Sequence, residues 1–449
     1  MLFCSKSEMQ SEKMRSIRIY KMNFLKIRYK SIINCVLWIC LLQGMLSDYI
    51  GFQQINYMCD VLLLVLLLFL VCRGQIRKLD FRRNIEYFSI NIFVVVVIVG
   101  WLFNPASVLK GIWGVRNYGR FFIFYILANY LWDPIDVERI DNLFLKLFPF
   151  HIAVIAFQYI VEGLSQDYLG GLFGKTKGGN GGLLIYLAIV LCIIICRFEY
   201  KKISTFQFVT WLLLILVNAA LSELKLLFVL AVLVVVWYLL MSKRKGRGMT
   251  LAFFFILAFY IGTQLLYYVF PHWANYFTLD NIMNIISQQE VYASQMDIGR
   301  TAVFSKLTPI ISNWAGNDAL FIGIGLGNGD YSNTFSFLNS AFFSRYELLH
   351  YTWLSLGYLF VETGYLGTIA YVSFFAILEV KAILAYQNRN TYFNLLGTFL
   401  PFVFMIVLVY NSSLRSNFAY MAFAALTWQT IASRKEQRGR NEDYAFENP

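Results

Sequence analysis

The sequence is poor in charge. Asp, Glu, Lys and Arg make up 14% of the 449 residues, while 59% are hydrophobic. A typical soluble domain is about half apolar and about a quarter charged. This balance argues against a soluble enzyme, a disordered tail and a nucleic-acid module. Cysteine offers no framework either. Cys4, Cys35, Cys40, Cys59, Cys72, Cys192 and Cys196 fall in the N-terminal tail or in apolar runs, so no disulfide network is expected. Cys192 and Cys196 stand at i and i+4, but no His or further Cys joins them, and they read as lipid- or helix-facing residues. No metal or cofactor motif, strict internal repeat, heptad or low-complexity tract is visible. The first thirty or so residues are too polar for a cleavable signal peptide, and no small-residue cleavage site follows the first apolar run.

What is present is apolar length. At about 20 residues per span, the chain has room for about twelve helices and one sizeable loop. Apolar runs predict spans near 31–47, 55–72, 85–103, 116–132, 143–161, 181–197, 206–221, 224–240, 249–270, 359–380, 394–411 and 415–432. The expected fold is an all-α polytopic membrane protein. A basic tail occupies 1–30, spans one to nine occupy 31–270, a large outward loop runs over 271–358, and the last three spans occupy 359–432 before a tail at 433–449.

The net charge of +12 follows the positive-inside pattern. Basic clusters occur in the N-terminal tail, at Arg73 to Arg83, at Arg197, Lys201 and Lys202, at Lys243 to Arg247, and at Arg434 to Arg440. With twelve spans all of them fall on one side, which predicts cytoplasmic termini. The opposite connections are thinly charged. One of them, 271–358, is far longer than the rest, and loops beyond about 15 residues are usually functional or disordered. Its Trp, Phe and Tyr residues predict a folded cap.

Charges on the thinly charged side need a reason, because ionisable groups at membrane depth are costly. Glu223 and Lys225 sit between two apolar runs with almost no loop. They form either a neutral interfacial turn or a Lys aimed into a cavity with Glu223 holding it. Arg116 and Arg120 share a helix face; they either snorkel to headgroups or clamp an anion. In the long loop, Arg300 begins a helix that runs toward Pro309. The Gly323-Ile-Gly325-Leu-Gly327 segment predicts a tight irregular turn without the βαβ context of a dinucleotide site. His350, followed by Tyr351, precedes Glu362-Thr363-Gly364. Of the other histidines, His151 reads as a satisfied helix residue and His272 as interfacial. Lys175-Thr-Lys177-Gly-Gly-Asn180 is a flexible outward loop that lacks Walker spacing; it is either a phosphate nest or a plain connection.

In this order, the pieces resemble the O-antigen ligase/polymerase superfamily of bacterial membrane glycosyltransferases. The resemblance covers the whole topology and is most specific between Ile298 and Gly367. It is carried by Arg300, Gly323-Ile-Gly325, His350, Glu362-Thr-Gly364, the outward Lys225 in Ser-Glu-Leu-Lys, and Arg116 or Arg120. Lys225 stands where ligases often carry Arg, and Tyr351 where they often carry Asn, which favours the polymerase branch. The resemblance implies a membrane glycosyltransferase of the C-type fold in the bacterial inner membrane, with a periplasmic site. Its substrates would be undecaprenyl-pyrophosphate-linked glycans, as donor and as acceptor, and a chain-length regulator is a further implied partner. Arg116, Arg120, Lys225 (held by Glu223) and Arg300 would meet the pyrophosphate, with Tyr351 beside the site. His350, tuned by Glu362, would take the acceptor proton. The implied displacement is inverting, metal-independent and free of cofactors. The alternatives are a ligase that moves polymer to lipid A core, a lipid-linked oligosaccharide flippase, and a non-enzymatic scaffold.

Overall fold

The computed structural model describes residues 29–74, 84–176, 180–271 and 297–447. The tail basic residues up to Arg28, the cluster from Arg77 to Arg83, Lys177, His272, Trp273 and the loop segment 274–296 lie outside the described residues. Every regular element among the described residues is helical. The long helices are α1 (Tyr29–Ile50), α2 (Ile55–Cys72), α3 (Glu86–Phe103), α4 (Val108–Leu131), α5 (Pro134–Ile160), α6 (Asn180–Glu199), α7 (Thr205–Leu221), α8 (Lys225–Met241) and α9 (Lys245–Val269). After the long loop's short helices α10 (Val303–Ala315), α11 (Asp318–Ile322) and α12 (Ala341–Tyr346) come α13 (Ser355–Asn388), α14 (Tyr392–Tyr410) and α15 (Ala419–Glu447).

Eight of these are long and apolar enough to cross a bilayer: α1, α2, α3, α5, α6, α9, α13 and α14. The apolar helices α7 and α8 have 17 residues each, while α4 and α15 carry charges within their length. The chain is therefore built as an all-α, multi-pass membrane protein. Helix α6 lies at its centre, with 89% of its most apolar stretch buried. Between lipid-embedded helices, packing contacts rather than water exclusion supply the cohesion. Aromatic rings do much of this work. Phe122 meets Tyr371 and Phe374 edge-on at 5.4 and 5.2 Å between ring centres, and Phe121 meets Tyr420 at 5.1 Å. These contacts tie α4 to α13 and α15.

Local signals move some boundaries from their expected places. Helix α5 starts nine residues before the apolar run at 143, because Asp133 and Asp136 form a capping box and Pro134 occupies the first turn, where a missing N–H costs nothing. Helix α4 begins at Val108, so Arg116 and Arg120 lie in its interior rather than at its start. Helix α7 is capped as Ser204 accepts from the Gln207 backbone at 3.2 Å and the Gln207 side chain returns the bond at 2.9 Å.

Helix α13 is broken at Gly364, which takes φ 63° and ψ −164°. The glycine-rich segment fills the break. The N–H of Ile324 donates to the Val361 carbonyl at 2.9 Å, and that of Gly325 to the Glu362 carbonyl at 3.2 Å. A Cβ on Gly323 would lie 2.2 Å from the Glu362 carbonyl carbon, so only glycine allows this approach. Around this contact the long loop and the first turns of α13 form a second apolar core that includes Val303, Leu307, Ile311, Phe342, Tyr351 and Phe360. The described part of the long loop, from residue 297 onward, packs on the break in α13.

Candidate functional site

Two adjoining cavities lie where the cap meets the bundle, and they share Tyr331, Ser416 and Phe418 in their walls. The larger has a volume of about 720 Å³ and contains His350 and Arg300. The smaller, of about 370 Å³, contains Arg116, Arg120 and Arg415.

In the larger cavity, His350 adopts a left-handed backbone, φ 49°. Few non-glycine residues do so, and such strain tends to cluster at functional sites. The ring is fixed on two sides. Nδ1 lies 2.5 Å from Asp297 Oδ1, and the imidazole stacks on Trp353 with centres 3.9 Å apart and planes 16° apart. A carboxylate that accepts Nδ1–H sets the tautomer and leaves Nε2 as the basic nitrogen. Arg300 is braced on the end of α14. Its Nε donates to the Tyr410 carbonyl at 3.1 Å, and its guanidinium sits 4.0 Å from the centre of the Tyr410 ring. Asn180 and Gly181, from the glycine-rich connection, complete one wall together with Asp167. Lys175 of the same connection instead bonds Glu162 at 3.0 Å.

The smaller cavity is built on charge pairs. Arg116 donates to Asp60 Oδ2 through Nε at 2.8 Å and Nη2 at 2.5 Å. Arg120 approaches the same carboxylate at 3.3 Å and also bonds Asn417. Arg415 donates to Asp330 Oδ2 at 2.5 Å and lies 3.7 Å from Glu362 Oε2. Burial opposes the Arg415 charge, yet Asp330 foremost, with Tyr118, Tyr358 and Glu362, holds its pKa well above the ordinary guanidinium value. Asn117 Nδ2 donates to Asp330 Oδ2 at 2.5 Å and so links the two pairs.

The sequence-derived residues therefore divide. His350 and Arg300 share one cavity, and Arg116 and Arg120 line the other. Glu362 is fully enclosed: its Oε1 accepts from the Gly327 N–H at 2.8 Å, and its Oε2 faces Arg415. The carboxylate beside His350 is Asp297, not Glu362. Tyr351 is buried and donates to the Gly329 carbonyl at 2.6 Å. Burial, then Glu362 and Asp330, pushes its pKa up, which keeps it a neutral donor. Glu223 and Lys225 pair with each other at 3.1 Å and line neither cavity. His151 is buried between Phe173 and Tyr186, where its Nδ1 accepts from the Leu172 N–H at 3.4 Å. Among the described residues, no group of three or more His, Cys, Asp and Glu is placed to hold a metal ion.

Sequence reasoning missed Asp60, Asp297, Asp330, Arg415 and Asn417. Two of these carried a legible signal. Asp60 is the one acidic residue in the apolar run 55–72, and Arg415 opens the last run on the thinly charged side, as Arg116 opened another. Asp297 and Asp330 are loop carboxylates whose partners only the fold reveals.

Comparison with protein-family models gives no match, and comparison with curated proteins gives none either.

Proposed function

We propose that this chain is a membrane glycosyltransferase that polymerises undecaprenyl-pyrophosphate-linked oligosaccharide units at the outer face of a bacterial inner membrane. The observation that carries the reading is the pairing of His350 with Asp297 in the same cavity as Arg300. That cavity combines an oriented base with a fixed cation at the edge of an apolar helix bundle, which suits a lipid-anchored anionic donor.

The chemistry balances without a cofactor. The acceptor hydroxyl oxygen attacks the anomeric carbon and forms the new C–O bond. The anomeric bond to pyrophosphate breaks, and its electron pair leaves with the lipid pyrophosphate. The hydroxyl proton passes to His350 Nε2, and Asp297 stabilises the resulting imidazolium. Such general-base help is worth about 10²–10⁴ in rate. Arg300 meets the charge that grows on the leaving oxygen, and a preorganised cation does this best in a water-poor site. One displacement inverts the anomeric centre.

The test is a glycan ladder from a deletion strain complemented with wild type or His350→Ala. A polymerase predicts a single repeat unit on the acceptor in the deletion strain and in His350→Ala, with a full ladder restored by wild type. Bare lipid A core with polymer retained on the lipid carrier would replace the reading with a ligase. Repeat units trapped on the cytoplasmic side would replace it with a flippase. A fully active His350→Ala would remove the general base.

A further inference from the structure

The sequence led us to expect Arg116 and Arg120 to clamp a pyrophosphate. The structure gives them a different chemistry. Every guanidinium of the smaller cavity already contacts a carboxylate: Arg116 and Arg120 share that of Asp60, and Arg415 pairs with Asp330 and lies 3.7 Å from Glu362. A pyrophosphate entering there would have to displace these carboxylates or lie against them. A neutral polyol faces neither cost, because hydroxyls donate to Asp and accept from Arg without changing the charge balance.

The rest of the wall suits the same ligand. Tyr57 and Trp113 line the cavity, and Phe335 stands beside both, with ring centres 6.1 and 6.4 Å away. The Arg116 guanidinium lies 4.5 Å from the Trp113 ring centre and 5.4 Å from that of Tyr57, which fixes both rings. Aromatic faces offer an apolar platform for the C–H face of a pyranose, while a few placed polar groups set its orientation. Asn117, Asn333 and Thr334 supply amide and hydroxyl groups. Trp113 Nε1, Arg120 Nε and Arg415 Nε are buried N–H donors with no hydrogen-bond partner among the described residues. Buried donors are rarely left unmatched, and these belong to side chains in the cavity wall.

We propose that the smaller cavity is a neutral-sugar subsite that holds the terminal sugar of the acceptor glycan. The donor stays with the His350 and Arg300 cavity next to it, as in the transfer reading above. Tyr331, Ser416 and Phe418 line both cavities, so an acceptor sugar held in one lies beside the other. This inference rests on the glycan-transfer reading above.

The experiment measures binding to the full chain in lipid nanodiscs by saturation-transfer NMR. The probes are repeat-unit oligosaccharides, released by mild acid from the host's lipid-linked glycan, and inorganic pyrophosphate. Wild type should bind the oligosaccharide, and pyrophosphate should not displace it. Trp113→Ala and the exposed Asn333→Ala should each weaken binding at least tenfold, while Arg300→Ala should leave it intact. Asn333→Ala removes only an exposed side chain, so its loss of binding cannot come from misfolding. The inference alone is overturned if the oligosaccharide binds but is displaced by pyrophosphate, or if binding depends on Arg300 and not on Trp113 or Asn333. If wild type binds no oligosaccharide, the glycan-transfer reading falls with it.

Discussion

Arg415 donates to Asp330 at 2.5 Å while its guanidinium lies 3.4 Å from the centre of the Tyr358 ring. This pair joins the cap to the turn just before α15; Asp330 is buried and the Arg415 side chain is 9% exposed. Removing one partner of such a pair strands the other charge, at a cost of about 3–5 kcal/mol. Arg415→Met should therefore lower the thermal unfolding midpoint sharply in detergent. Adding Asp330→Asn should recover part of the loss, because no unpaired charge remains. Equal midpoints for the single and double variants would show that the pair contributes packing rather than charge neutralisation.

Asp297 and His350 are expected to act as one unit. Asp297→Asn keeps the shape but no longer holds Nδ1–H as a carboxylate does. Transfer should fall by about 10²-fold or more, with little change in the amount of folded protein. In the background of His350→Ala, Asp297→Asn should cost almost nothing further, since groups that act together are not additive. Single-turnover transfer of a radiolabelled repeat unit measures both. Independent, multiplying losses would show that Asp297 serves some other group.

Gly316 and Gly364 separate backbone strain from crowding. Both have positive φ, at 85° and 63°. A Cβ on Gly316 would meet nothing within 4 Å, whereas one on Gly364 would lie 2.5 Å from the carbonyl carbon of Phe321 and 2.6 Å from the Gly323 nitrogen. Gly316→Ala should cost only backbone strain, about 1–3 kcal/mol, because φ 85° with ψ 173° lies in a region open essentially to glycine. Gly364→Ala adds a clash with the segment that fills the helix break, so its loss should exceed about 3 kcal/mol. It should also reduce transfer, because that segment carries Gly327, which fixes Glu362. Thermal unfolding of the two variants side by side decides it. Equal losses would mean that the glycine segment yields easily.

How much of this could be read in the chain differs by level. Apolar run length located the helices, since a spanning helix must satisfy its backbone internally and present apolar side chains outward. The cap at Asp133 shifted a helix start where polar residues extended the run, whereas the cap at Ser204 left the expected start within one residue. Arg300, His350, Arg116 and Arg120 stood out because charge is scarce on that side. Their partners did not. Asp297 is 53 residues from His350, and Asp60 is 56 from Arg116. No spacing rule connects them, so the same sequence permits Glu362 beside His350 until the break at Gly364 turns Glu362 toward Gly327 and Arg415. Charge scarcity picks out residues that line the two cavities and also the Glu223 and Lys225 pair that lines neither, and only packing shows which carboxylate neutralises which cation.

The placement of both cavities predicts a topology. Arg197, Lys201 and Lys202 lie at and just beyond the end of α6, and Lys243 and Arg244 lie between α8 and α9. Positive connections are retained in the cytoplasm. The start of α6 is at the opposite end, where Asn180 and Gly181 line the His350 cavity. An alkaline phosphatase inserted at Gly316, whose surroundings are open, should therefore be active, because that enzyme folds only outside the cytoplasm. The same insertion at Lys201 should be inactive, and a cytoplasmic reporter should give the reverse pattern. If Gly316 reports cytoplasm, the His350 cavity opens to the side where nucleotide-linked sugars are made. A donor on an exported lipid carrier would then be excluded, whatever the mutants at His350 do.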